Sequence, residues 1–190
     1  MQLEPINLAH EYYLRLMAKH QPFDIEIDKL TRSVENAISG DSFKTEVIEL
    51  TLADIRKLKK ADWLFDWKTE AKSINKKVYK LVIVENPNII QGLISLQDRG
   101  DHIFMPLIES NNFNRGSKKV YLGVPGNLVA FGCKVSFEKG YGGYVSFESK
   151  TKLIEHYKKT LGANSLFANF MAIDTKAAAK LIEQYFSKKL

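Results

Sequence analysis

The chain has 190 residues, 45% hydrophobic and 26% charged, the balance of a single globular domain rather than of a disordered or membrane-embedded chain. No apolar run approaches the ~20 residues of a bilayer span, and "MQLEPINLAHEYY" lacks the basic-then-apolar pattern of a secretory signal. A net charge of +6 and a lone cysteine fit a cytoplasmic chain with an anionic partner: nucleic acid, a polyphosphate cofactor or an acidic protein.

In chain order, residues 5–20 read as a helix with Leu8, Tyr12 and Leu16 on one face. "FDIEIDKL" alternates apolar and acidic residues as a short strand does, and "SGDS" (39–42) is a turn. "TEVIELT" reads as a strand, and "LADIRKLKKADW" as a helix with the stripe Leu52, Ile55, Leu58. Next come "KVYKLVIVEN" (77–86), "IIQGLISLQ" (89–97) and "HIFMPLIES" (102–110), three closely spaced strands that make an antiparallel meander.

After the polar "NNFNRGSKKVYLGVPG", a helix is expected from Asn127, as N-cap, to Lys139, with Gly140 just past its end. Its faces carry Leu128, Phe131 and Val135, and Ala130, Cys133 and Phe137, so it should be largely buried. "GGYVSFES" (142–149) is a strand. "KTKLIEHYKKTLGA" is a helix with Leu153, Ile154, Tyr157 and Leu161 inward, closed by Gly162. "LFANFMAID" reads as one strand, and "TKAAAKLIEQYF" as a last helix capped by Asp174 or Thr175.

The order after residue 45 is β-α-βββ-α-β-α-β-α. Its unit at 102–147 is a strand–helix–strand crossover, which makes the flanking strands parallel. The expected fold is α/β (α+β), a mixed, mainly antiparallel sheet flanked by helices. Residues 1–45 are expected to pack as an N-terminal helical extension on a domain of residues 46–190.

Chemistry could sit at Gly123–Gly126, between a strand and a helix N-terminus. There the amides of a glycine loop can hold phosphate, or simply turn the chain into a buried helix. Pro125 removes one donor, and the loop is neither a Walker motif nor a dinucleotide fingerprint. Cys133 with His102 or His156 would be the thiol–imidazole combination for a nucleophile, but a mid-helix cysteine among Phe131, Val135 and Phe137 reads as inert packing. The four histidines show no ligand spacing, so no metal is expected.

In order and spacing, "LIES", "GVPG", "NLVAFGCKVSFEKG", "GYVSF" and "LIEHYKKTLGA" resemble the core of the GNAT superfamily of acyl-CoA-dependent N-acyltransferases. "YKLVIVENPNIIQGLISL", with Gly92, is similar to the family's second and third strands. The resemblance spans about Glu46 to Asp174. Val120 and Pro125 stand where the family's loop has Gln/Arg and its last residue, and the connection from Glu109 to the loop is longer than usual.

What the resemblance implies is an acetyl transfer from acetyl-CoA to the primary amine of a small molecule or peptide. Gly123, Val124, Pro125, Gly126, Asn127 and Leu128 would hold the coenzyme A pyrophosphate, and Leu107 and Ile108 the pantetheine. Glu109 would be the base, Tyr157 the acid for the departing thiolate, and Asn111, Asn114 and Trp67 would shape the acceptor site. Without the family, Tyr157 is a core tyrosine and Glu109 a solvated strand end. A non-catalytic GNAT-shaped binding module and a toxin that acetylates aminoacyl-tRNA are the alternatives. Nucleic acid is not the leading partner, no membrane partner is expected, and a homodimer is left open.

Overall fold

Apolar and β-branched runs with short turns between them build the centre of the molecule. The computed structural model describes residues 22–29 and 33–186; the helix expected at 5–20 lies outside them. The strands are β1 (Val34–Asn36), β2 (Ser42–Phe43), β3 (Thr45–Glu49), β4 (Lys77–Ile83), β5 (Asn86–Asp98), β6 (Ile103–Ser110), β7 (Tyr121–Leu122), β8 (Val145–Glu148), β9 (Asn164–Phe167) and β10 (Phe170–Ile173). The helices are α1 (Leu52–Lys57), α2 (Trp67–Glu70), α3 (Val124–Glu138), α4 (Ile154–Leu161) and α5 (Thr175–Phe186).

Seven strands form one sheet in the order β3-β4-β5-β6-β8-β10-β9, antiparallel except where β6 and β8 run parallel across the α3 crossover. A small second sheet, β2-β1-β7, ties residues 34–43 to the strand just before the glycine loop. Each face of the main sheet buries its own core. α3, α4 and α5 cover one face, over residues such as Ile94, Met105, Phe147 and Met171. The α1–α2 segment covers the other, with Trp63 and Trp67 against Val78, Leu93 and Leu107. Among the described residues no helix is long and apolar enough to cross a membrane.

Four expectations are corrected. "LFANFMAID" is a hairpin: Phe167 pairs with Phe170, and Ala168 takes the turn with a positive φ of 46°. The helix after "TEVIELT" is short, because Leu58 turns extended after a Thr51/Asp54 capping box has opened α1. α3 starts three residues before Asn127, and its N-cap is Gly123 in the left-handed conformation (φ 87°). Phe137, expected inside, is 37% exposed. Gly162 closes α4 in the left-handed conformation as expected, and Asp174 caps α5 by accepting from Ala177 N–H.

Asp98, at the end of β5, accepts from Gly100 N–H and the Tyr141 hydroxyl and pairs with Lys139. The Lys139 hydrogen bond is the largest cause that lowers its carboxyl to about 2. The folded value lies below the ordinary ~3.9, so this clasp stabilises the fold above about pH 4 and is lost as pH falls toward 2. An NMR titration should place the Asp98 midpoint near 2 and move it upward in Lys139→Met. A wild-type midpoint near ~3.9 would mean that the clasp does not form.

Candidate active site

The site begins with a proline in the middle of an apolar strand. Register along β5 and β6 shifts between Ser95↔Leu107 and Gln97↔Phe104, so Met105 and Pro106 together oppose one residue. This is a β-bulge, and Pro106 fits it because it has no N–H to give a ladder. The bulge also resets side-chain phase: Met105 and Ile108 face the same core, while Leu107 and Glu109 face the tryptophans. Parallel pairing with β8 stops at Phe104↔Ser146, directly before the bulge. Beyond it the two strands part and leave a cleft.

The cleft ends at the N-terminus of α3. A Cβ on Gly92 of β5 would meet Val124 Cγ1 at 2.7 Å and Leu128 Cδ1 at 3.0 Å, so that glycine lets the first turn of α3 lie directly on the sheet. Gly126 is crowded from the other side, where a Cβ would come within 1.8 Å of the Tyr185 hydroxyl. Asn127 faces away from the helix end and accepts from the Thr45 hydroxyl at 3.1 Å. Leu128 is fully buried. Of the loop amides, Gly123 N–H donates to Asp28 Oδ1 at 2.9 Å, and Pro125 has none to offer.

Tyr157, on α4, is fully buried behind the 22–29 segment and does not itself line the cleft; its ring lies edge-on to Phe147 at 5.3 Å. Burial pushes its hydroxyl above the ordinary tyrosine value, and the hydrogen bond with Ile25 acts the other way. The hydroxyl donates to Ile25 O at 2.7 Å and accepts from Ile25 N–H at 3.4 Å. Ile25 belongs to "FDIEIDKL", expected as a short strand, of which residues 23–29 are described and form none. It makes a single parallel bridge, Phe23 to Ser149, rather than a full strand. Phe23 and Ile27 are buried, and Asp24 and Asp28 pair with lysines.

Glu109 is 3% exposed and is surrounded by donors. Oε1 accepts from Leu64 N–H at 2.6 Å and from Arg115 Nη1 at 2.7 Å. Oε2 accepts from Trp67 Nε1 at 2.7 Å and from Phe65 N–H at 3.3 Å. A carboxylate has about four acceptor positions, so these donors use them. Trp67 is itself buried. The Asn111 side-chain amide donates to Ile90 O, and that of Asn114 to Gln91 O and Oε1, so both asparagines fasten the 110–120 connection to β5. Leu107, Ile108 and Asn114 line the same cleft; Asn111 lines a separate one.

The cleft has a volume of about 540 Å³. Its cations are Arg115, Lys119, Lys150 and Lys152; its acids are Glu109 and, from the 22–29 segment, Asp24, Glu26 and Asp28. Sequence reasoning did not single out Asp28, Arg115 or the three lysines. The signals present were the alternation of "FDIEIDKL" and the extra length between Glu109 and the loop. Cys133 is fully buried and its thiol is pushed up to about 12 by that burial, which suits inert packing. Among the described residues no cluster of histidine, cysteine and carboxylates could hold a metal ion.

No family model and no curated protein matches the chain. Solved structures do. A KacTA–DNA complex aligns at 17% identity over 73% of this chain and 98% of that one, with a TM-score of 0.53. A tyrosine-to-phenylalanine mutant of the AtaT toxin, bound to the C-terminus of the antitoxin AtaR and acetyl-CoA, aligns at 16% over 74% and 99%, TM-score 0.52. AtaTR bound with acetyl-CoA aligns at 16% over 72% and 97%, TM-score 0.51.

Proposed function

Because the chain has the GNAT-superfamily fold, we propose that it is an acyl-CoA-dependent N-acetyltransferase that moves acetyl from acetyl-CoA to a primary amine. The observation that carries this reading is the split between β6 and β8, which opens at a bulge and ends at a glycine-opened helix N-terminus. The fit to the ligand rests on three features. The edge of β6 at Leu107 and Ile108 offers backbone groups to the pantetheine amides. Gly123, Val124 and Gly126 offer amides, and the α3 dipole a positive end, to the pyrophosphate. Pro125, Asn127 and Leu128 shape that first turn without donating to the ligand. Arg115, Lys119, Lys150 and Lys152 supply the opposite charge.

Chemically, the amine nitrogen attacks the thioester carbonyl carbon and the carbon–sulfur bond breaks. The Tyr157 hydroxyl, kept protonated by burial, gives its proton to the leaving sulfur. The ammonium proton of the acceptor leaves to water before attack, and the second proton shed by the nitrogen as the amide forms restores the Tyr157 hydroxyl through water. Glu109 acts as a positioning residue, holding the Leu64–Trp67 segment and Arg115 at the cleft wall, because its lone pairs are already taken. Asn111, Asn114 and Trp67 shape the acceptor side indirectly, by fixing that wall.

Calorimetry with acetyl-CoA should give a micromolar dissociation constant, and thiol release should follow when a panel of polyamines and amino-terminal peptides is added. The absence of both heat and a thermal shift at millimolar acetyl-CoA would overturn the reading. A non-catalytic binding module is the second reading, favoured by the 22–29 segment lying in the cleft; the same titration decides between them. The net charge of +6 is compatible with the remaining alternative, an aminoacyl-tRNA acceptor, whose binding would fall steeply with salt.

A further inference from the structure

Residues 22–29 take several of the groups that the proposed acyl-CoA would use, at Tyr157, Gly123 and the cleft lysines. After β6 has left β8, Phe23 N–H donates to Glu148 O at 2.6 Å, and Phe23 O accepts from Lys150 N–H at 3.0 Å. The chain then continues along the cleft. Ile25 takes the Tyr157 hydroxyl with both of its backbone groups, and Ile27 N–H donates to His156 Nε2 at 2.8 Å. At the far end the Asp28 carboxylate sits on Gly123 N–H and pairs with Lys119 at 2.8 Å. Asp24 pairs with Lys150 and Lys152.

We infer that residues 22–29 are an internal competitor of acyl-CoA, a strap whose carboxylates stand in for the ligand's phosphates. The inference rests on the reading of the cleft as an acyl-CoA site. Strap and ligand exclude each other, because the Tyr157 hydroxyl and the Gly123 amide each have a single hydrogen to donate and the strap takes both. The strap therefore reduces the apparent affinity by the fraction of molecules in which it is undocked. Its hold has two parts. Phe23 is buried and stacks on Phe147 with ring centres 4.8 Å apart, which seats the strap. The pairs of Asp24 with Lys150 and Lys152 are partly exposed, and exposed pairs bind weakly. A polyanion can thus take the lysines before the apolar part lets go.

The test compares the full chain with Asp24→Asn/Asp28→Asn, neither residue being part of the proposed transfer machinery. Calorimetry with acetyl-CoA should show about tenfold tighter binding by the double variant, the sum of three weak pairs removed. Hydrogen exchange on the wild type should show the amides of Phe23, Ile25 and Ile27 protected in the free protein and exchanging faster once acetyl-CoA is added. If acetyl-CoA binds the wild type and those amides stay protected, or the double variant binds no tighter, the strap is permanent packing; the inference falls and the acyl-CoA reading stands. If neither protein binds acetyl-CoA, both fall together. The exchange measurement needs only wild-type protein, so the inference stays falsifiable even if the double variant does not fold.

Discussion

Glu109→Ala is expected to lower the melting temperature by roughly 10 °C. The substitution leaves the Arg115 guanidinium, the Trp67 indole N–H and the amides of Leu64 and Phe65 facing a void. Removing one partner of a buried ion pair costs about 3–5 kcal/mol. Arg115 keeps 26% of its side chain in contact with water, so the lower end, about 3 kcal/mol, is the expectation. For a chain of this size each kcal/mol is worth about 2–4 °C. Arg115→Met in the Glu109→Ala background should cost less than it does alone, because its partner is already gone. Thermal unfolding of the single and double variants measures both effects. A general base at this position would behave differently, with a melting temperature within about 2 °C of wild type and turnover lost together with the acidic limb of its pH profile. That outcome would return the base to Glu109.

The same residue shows where sequence reasoning reached its limit. That a strand ends at Glu109 was legible, because "HIFMPLIES" is apolar until its last two residues. The fate of the carboxylate was not, since three of its four donors lie more than 40 residues away in "ADWLFDW". The helices α4 and α5 were read nearly to their ends, because a 3.6-residue stripe and a terminal glycine or aspartate are local signals.

The start of α3 went to a competing signal. Asn127 is a good N-cap residue, but Pro125 is pre-organised for the first turn of a helix, and Gly123 alone accepts the left-handed turn before it. The hairpin at 164–173 was missed because its turn holds no glycine; Ala168 takes the positive φ instead. The strap was half legible. Alternation in "FDIEIDKL" suggested a strand where the described residues make only one bridge, although Phe23 and Ile27 are buried. Its partners, Tyr157 and Gly123, are set by topology and leave no mark in the local pattern.

Tyr157→Phe separates a catalytic hydroxyl from a core tyrosine, and a fall in kcat of about 10²-fold or more is expected, the usual worth of a positioned acid. The ring contacts survive the change: Phe147 packs edge-on at 5.3 Å and Phe23 at 6.4 Å, so the core keeps its shape. What disappears is the pair of hydrogen bonds that hold Ile25. Leaving buried backbone groups unpaired costs about 1–3 kcal/mol, and here that cost falls on the docked strap rather than on the ligand-bound state. The variant should therefore bind acetyl-CoA as tightly as wild type or more tightly while turning over far more slowly, a fall in kcat with KM unchanged or lowered.

A tyrosine that only fills the core would give the opposite pattern, an unchanged kcat with a lower melting temperature. The alkaline side adds a second check. Burial raises the hydroxyl above its ordinary value, so the group keeps its proton through neutral pH and loses it only above about pH 10. Wild-type kcat should hold up to that point, and a fall that begins near pH 8 would have to come from another group. Steady-state kinetics of the two proteins from pH 6 to 10.5 therefore tests whether this hydroxyl delivers the proton to sulfur.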